Sequence, residues 1–152
     1  MFGFLRSMKD SRVFHQFDFD IFNNWSKGIE YDLIKISDED FKLQYLLCCF
    51  LWNFDNFKLN QNTKILIDCF FVKSDLDFYF LLGKGLYGDR GYFGSNLDSL
   101  EDIIIDFHRD NEYSLIKRYS IEFLNYENLE KYFDLDLLTL ILSKTKMNII
   151  YN

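Results

Sequence analysis

After residue 60 the apolar positions of the chain alternate between two periods, that of a strand and that of a helix. Lys64–Phe71 (KILIDCFF) is a short, nearly continuous apolar run of the length of a buried strand. Ser74 then opens SDLDFYFLLGKG, a helical segment with Ser74 placed to cap it and Asp77 three residues on. Gly83, Gly85 and Gly88 break that helix and begin a loop through YGDRGYFG. Ser95 or Asn96 is positioned to cap the next helix, whose apolar residues Leu97, Leu100, Ile103, Ile104 and Phe107 recur at helical spacing. Tyr113–Ile121 alternates like a strand, Asn125–Phe133 and Asp134–Lys144 read as two short helices, and MNIIYN closes with a strand. Strands separated by helices predict a parallel sheet within an α/β fold.

The first sixty residues follow another pattern. Phe14–Trp25 (FHQFDFDIFNNW) alternates aromatic with polar, a strand-like period, and Gly28 ends it. Ile29–Ile36 reads as a strand, SDEDF as a polar turn, and Lys42–Trp52 (KLQYLLCCFLW) as a longer apolar run. A β-hairpin pairing Ile29–Ile36 with Lys42–Trp52 accounts for this stretch. A helix capped by Ser37, with Asp40 three residues on, is the other reading. Asp55–Lys64 is polar and rich in Asn, a candidate boundary. It divides the chain into an extension over residues 1–60, expected to dock on the core, and an α/β domain over residues 63–152.

Composition narrows the class. The chain has 152 residues, 49% of them apolar and 20% aromatic, which provides a core and excludes disorder. The longest apolar run, Tyr45–Trp52, is too short to span a membrane. The start, MFGFLRSMKD, lacks the basic region and long apolar stretch of a secretory signal, so a cytoplasmic location is expected. Cys48, Cys49 and Cys69 form no C-x-x-C and no disulfide framework, and neither His15 nor His108 has a partner at metal-ligand spacing. No cofactor is expected. A net charge of −7 argues against a direct nucleic-acid contact, which needs Lys and Arg to neutralise phosphates. It favours a basic partner.

One feature carries candidate chemistry. The helix after Asn96 holds Asp98, Asp102, Asp106 and Asp110, each four residues from the next, with no lysine beside them. Like charges at this spacing destabilise a helix by roughly 0.2–0.5 kcal/mol per pair. The ladder is either a solvated acidic face or a surface kept for a cation. A bound metal ion would need a His or a second acidic segment to complete its shell, and the sequence offers neither. The preceding glycines are no phosphate loop, since GKGLYGDRGYFG lacks the G-K-[ST] ending.

Gly91–Ile104 (GYFGSNLDSLEDII) resembles the Y-Y-G-x-N-L-D-A-L-x-D signature of the barstar family, intracellular inhibitors of a secreted ribonuclease. Tyr92, Gly94, Asn96, Leu97, Asp98, Leu100 and Asp102 fall in register with it. KILID is similar to the family's first strand, SDLDFYFLLGKGLYG to its first helix and NIIYN to its last strand, so the likeness covers residues 63–152. It implies a three-stranded parallel sheet packed with helices. It also implies an inhibitor or immunity protein that plugs a nuclease active site with the acidic helix and the loop before it. Carried over by position, Asp102 would occupy the enzyme's phosphate site and Asp98 would pair with its basic residues. Tyr92 and Gly94 would make the loop contact, and Phe107 stands where the family has an aromatic. Glu101 replaces a tryptophan of the family and, with Asp106, makes this face more acidic. The family's last-helix glutamate has no counterpart, because Ile141 falls there. The implied partner is a basic nuclease or nuclease toxin domain, and oligomeric state stays open. A barstar-fold module with another basic partner is the alternative.

Overall fold

The computed structural model describes residues 15–52 and 58–152. Among the described residues two helices come first, α1 (Gln16–Ser26) and α2 (Glu39–Trp52), with a 3-10 turn at Leu33–Lys35 between them. There follow β1 (Lys64–Asp68), α3 (Asp75–Tyr87), α4 (Leu97–Asp110), the single turn α5 (Tyr113–Ile116), β2 (Ser120–Leu124), α6 (Leu135–Ser143) and β3 (Asn148–Tyr151). Further 3-10 turns lie at Cys69–Phe71 and Tyr126–Lys131. The strands form one parallel sheet in the order β1-β2-β3, the α/β arrangement expected from alternating strands and helices.

The register aligns Ile65, Ile121 and Ile149 in one row and Ile67, Phe123 and Tyr151 in another. Both rows face the helices. The opposite face carries Lys64, Leu66 and Asp68 on β1 and Ser120, Glu122 and Leu124 on β2, and Leu66 is exposed. On α3, Gly85 lies against Ile65 and the Phe78 ring stacks on Phe123, so that side of the helix meets the sheet. Asp77 and Phe80 point elsewhere and meet Lys42 and Tyr45 of α2. The molecule is thus layered: sheet, then α3, α4 and α6, then α1 and α2 over α3.

The loop between α3 and α4 retraces α3. The Asn60 N–H donates to the Leu86 carbonyl at 2.7 Å, which puts the end of α3 near the approach to β1. From there the chain passes Gly91 against Gly83, backbone on backbone. A Cβ on Gly83 would lie 2.5 Å from the Gly91 carbonyl oxygen, so side chains are excluded from this crossing. α4 then starts beside the first turns of α3 and runs in the same direction.

Several local expectations are corrected. Of the strand-like stretch Phe14–Trp25, Phe14 lies outside the described residues and Gln16–Trp25 is helical, in α1, because Ile21 and Trp25 are buried at helical spacing with Phe17 and Phe22 packed beside them, while Phe19 is exposed. Ile29–Ile36 and Lys42–Trp52 form no hairpin. The first holds only a 3-10 turn, and the second lies in α2, where the Asp38 carboxylate rather than Ser37 accepts from the Phe41 N–H at 3.0 Å. β1 stops at Asp68, whose carboxylate accepts from Phe70 N and turns the chain. The strand expected over Tyr113–Ile121 starts at Ser120, not Tyr113, since residues Tyr113–Ile116 close a helical turn. Asn125–Phe133 is a 3-10 turn entered through Asn125 at φ +52°. Of the candidate boundary Asp55–Lys64, residues 55–57 lie outside the described residues.

Candidate functional site

α4 is fixed at its start by a reciprocal cap. The Asn96 side chain accepts from Ser99 N at 2.8 Å, and Ser99 Oγ accepts from Asn96 N at 3.0 Å. Leu100, Ile103, Ile104 and Phe107 are buried beneath it. That burial sets which carboxylates face outward. A spacing of four residues drifts by about 40° per step around a helix of 3.6 residues per turn, so the four aspartates spiral instead of stacking.

The spiral divides them. Asp98 and Asp102 lie on the outward face, are exposed, and make no hydrogen bond or ion pair among the described residues. Asp106 is turned inward, with its side chain only 14% exposed, and pairs with Arg109 at 2.9 Å. Asp110 shares that guanidinium at 3.0 Å. Glu101 pairs with Lys144 at the end of α6. Helix dipole and cap favour Asp98 in the first turn, whereas Asp102 has no such compensation. Ile105, 54% exposed, lies on the same outward face.

The loop residues are held from behind. Tyr92 is buried, 6% exposed, and packs against Phe50 of α2 with ring centroids 5.1 Å apart. Burial pushes its hydroxyl pKa up, with hydrogen bonding by Ser95 and Ser99 opposing. Gly94 is buried at φ +93°, and a Cβ there would lie 2.9 Å from the Leu100 backbone. Phe107 is buried edge-to-face against Phe93. Of the residues expected to meet a partner, Asp98 and Asp102 are therefore open, and Glu101 and Asp106 are engaged within the chain. Tyr92, Gly94 and Phe107 support the helix from inside.

Sequence reasoning missed the residues that arrange this. Arg90, at φ +61° in the loop, bonds Glu30 and lies over the rings of Trp25 and Trp52 at 5.0 and 4.8 Å. At the other end of α2 and α3, the fully buried Asp77 of α3 pairs with Lys42 of α2 at 2.8 Å. Burial would lower the Lys42 pKa, but its bonds to Asp77 and Glu39 outweigh this and raise it. A lysine heading the apolar run of α2 was the available signal.

Among the described residues no three His, Cys, Asp or Glu side chains are grouped to hold a metal ion. Among them, too, no helix is long and apolar enough to cross a membrane. Cys48, Cys49 and Cys69 are buried and outside any disulfide. Burial, with Asp68 adding, pushes the Cys69 thiol up to about 12, away from a reactive thiolate. What the arrangement offers is two open carboxylates, one turn apart, on a helix braced from below. No family model, curated protein or solved structure matches the chain.

Proposed function

We propose that the chain is a barstar-like inhibitor or immunity protein that docks α4 into the cationic active site of a toxic ribonuclease or related nuclease. Asp102 takes the place of a substrate phosphate, and Asp98 meets the enzyme's basic residues. The observation that carries this reading is the pairing pattern on α4. Asp106, Asp110 and Glu101 have cationic partners within the chain, and Asp98 and Asp102 have none among the described residues. Two neighbouring carboxylates kept without a counter-ion suit a partner that supplies one. The order of elements and the parallel sheet agree with the fold this resemblance implies.

The acidic face would also speed encounter. Exposed charges steer a cationic partner over roughly one Debye length, about 8 Å at physiological salt. Association of the chain with a basic ribonuclease of the barnase type, followed by stopped-flow fluorescence, should therefore slow with added salt, while dissociation changes little. An association rate indifferent to salt would remove α4 as the docking face.

A second reading has its own support. With Tyr92 buried under Phe50 and Gly94 buried against Leu100, the loop contacts that the resemblance implies are withdrawn from the surface. A barstar-fold interaction module that presents Asp98, Asp102 and Ile105 to a different basic partner uses the same face. Salt-sensitive binding to a basic partner without loss of nuclease activity would favour it.

A further inference from the structure

The edge of the sheet at β1 has a self-complementary pattern. Ser120 N donates to the Thr63 carbonyl, and the register pairs Lys64 with Ser120. In a parallel ladder this turns the N–H and C=O groups of Ile65 and Ile67 toward β2 and those of Lys64, Leu66 and Asp68 toward the open edge. Among the described residues β1 pairs with no strand but β2, so the backbone of Leu66 faces an unpaired edge, and its side chain is 57% exposed. Unpaired edge strands of this kind invite a second strand.

The residues along that edge read Lys64, Leu66, Asp68. Laid antiparallel on a second copy about a two-fold axis at Leu66, Leu66 meets Leu66 and Lys64 of each protomer falls opposite Asp68 of its partner. Every pair is complementary and all three side chains share the outer face; Lys64 also pairs with Glu122 at 2.7 Å while staying 66% exposed, and Asp68 Oδ1 also accepts from Phe70 N and Asn125 Nδ2. The other edge lacks this property, because Asn148, Ile150 and Asn152 of its outer face bear no charge. Face-to-face packing is disfavoured too. The outer face carries Lys64, Asp68, Glu122, Asn148 and Asn152, and a dry contact would strip them of water. α2 does not stand in the way, since it packs on α3 through Asp77 and Phe80, away from the sheet.

We propose that the chain forms a two-fold symmetric dimer by antiparallel pairing of β1 with β1 of a second copy, making one continuous sheet. The pairing is isologous, so it closes at two copies and does not grow into a filament. It leaves α4 of both protomers free. The proposal is independent of what α4 binds.

Sedimentation equilibrium of the full chain over a micromolar concentration series tests it. The parent should show a monomer–dimer equilibrium. Leu66→Lys should weaken dimerisation at least about tenfold with an unchanged circular dichroism spectrum. Lys64→Asp and Asp68→Lys should each weaken it as well, by placing like charges opposite one another. An equimolar mixture of those two variants should restore dimers, because each unlike pair is regenerated across the two-fold. A parent that stays monomeric throughout overturns the proposal. So does a dimer that survives Leu66→Lys, or charge variants whose mixture does not associate. Because the mixed pair carries its own rescue, misfolding of Leu66→Lys alone leaves the test decisive.

Discussion

At the scale of single residues, the chain treats its carboxylates in two ways. Asp77 is buried and ion-paired with Lys42 Nζ at 2.8 Å, and its other carboxylate oxygen accepts from the Lys73 N–H at 2.9 Å. Lys42→Met would leave that carboxylate buried without its cation, a loss of about 3–5 kcal/mol. A chemical-denaturation series should show it, and adding Asp77→Leu should recover much of the deficit, since a buried pair replaced by apolar groups is often neutral. If Lys42→Met unfolds at the parent's midpoint, the pair is not a fastener between α2 and α3. The open carboxylates should behave in the opposite sense. Asp102→Ala removes like-charge repulsion along α4 and loses no partner, so its melting temperature should equal or exceed the parent's. Asp106→Ala breaks the bond to Arg109 and should lower stability by up to about 1 kcal/mol. The reverse order would mean that the division of the ladder has been misjudged.

At the scale of elements, the Gly83–Gly91 crossing is the constraint that sets α4 in place. A Cβ on Gly91 would enter the space of the Gly83 carbonyl and also approach the Gly88 carbonyl at 2.9 Å. Gly91→Ala should therefore cost at least about 1–3 kcal/mol, the range for overpacked interiors. A melt within experimental error of the parent would show that the loop has room to move. The sequence marks Gly83, Gly85 and Gly88 as helix breakers, yet Gly83 and Gly85 lie inside α3 and only Gly88 ends it; what Gly83 serves is close approach, a tertiary fact. The same distinction runs through the fold. α4 was readable because its apolar residues keep one period and its cap sits just before them. α2 was ambiguous because it is apolar nearly all round, and an apolar run carries no period to separate helix from strand. α1 misled because Phe17, Phe19 and Ile21 alternate, although Phe19 is exposed while Ile21 is buried. The outward positions of Asp98 and Asp102 followed from the helical pattern. The partner of Glu101 did not, since Lys144 comes from another helix.

At the scale of the whole molecule, one apolar core joins residues on both sides of residue 60, from Ile21 and Leu46 to Phe78 and Phe123. Removing residues 1–57 would uncover Phe80 and Tyr92 and strand Asp77, so the remaining piece should lose its cooperative melt. A sharp, parent-like transition would make α1 and α2 dispensable. The buried titratable groups give the molecule a pH signature. Lys42 is raised by its carboxylate partners, Tyr45, Tyr79 and Tyr87 by burial, and Cys69 by burial to about 12. Each folded pKa exceeds the unfolded one, so the stability these groups contribute is complete below the unfolded values, about 8.5 for Cys and about 10 for Tyr and Lys. It is lost as pH rises through the folded values. Melting temperature should fall above about pH 9 on this account, and a rise between pH 8 and pH 10 would contradict it. The central claim is that Asp98 and Asp102 enter a cationic nuclease site, and its most direct measurement is ribonuclease activity titrated with the parent chain and with Asp98→Ala and Asp102→Ala. The parent should inhibit a basic, barnase-type ribonuclease stoichiometrically, and Asp102→Ala should inhibit at least about tenfold more weakly, with Asp98→Ala also impaired and both variants melting no lower than the parent. Asp102→Ala inhibiting as well as the parent would contradict the account.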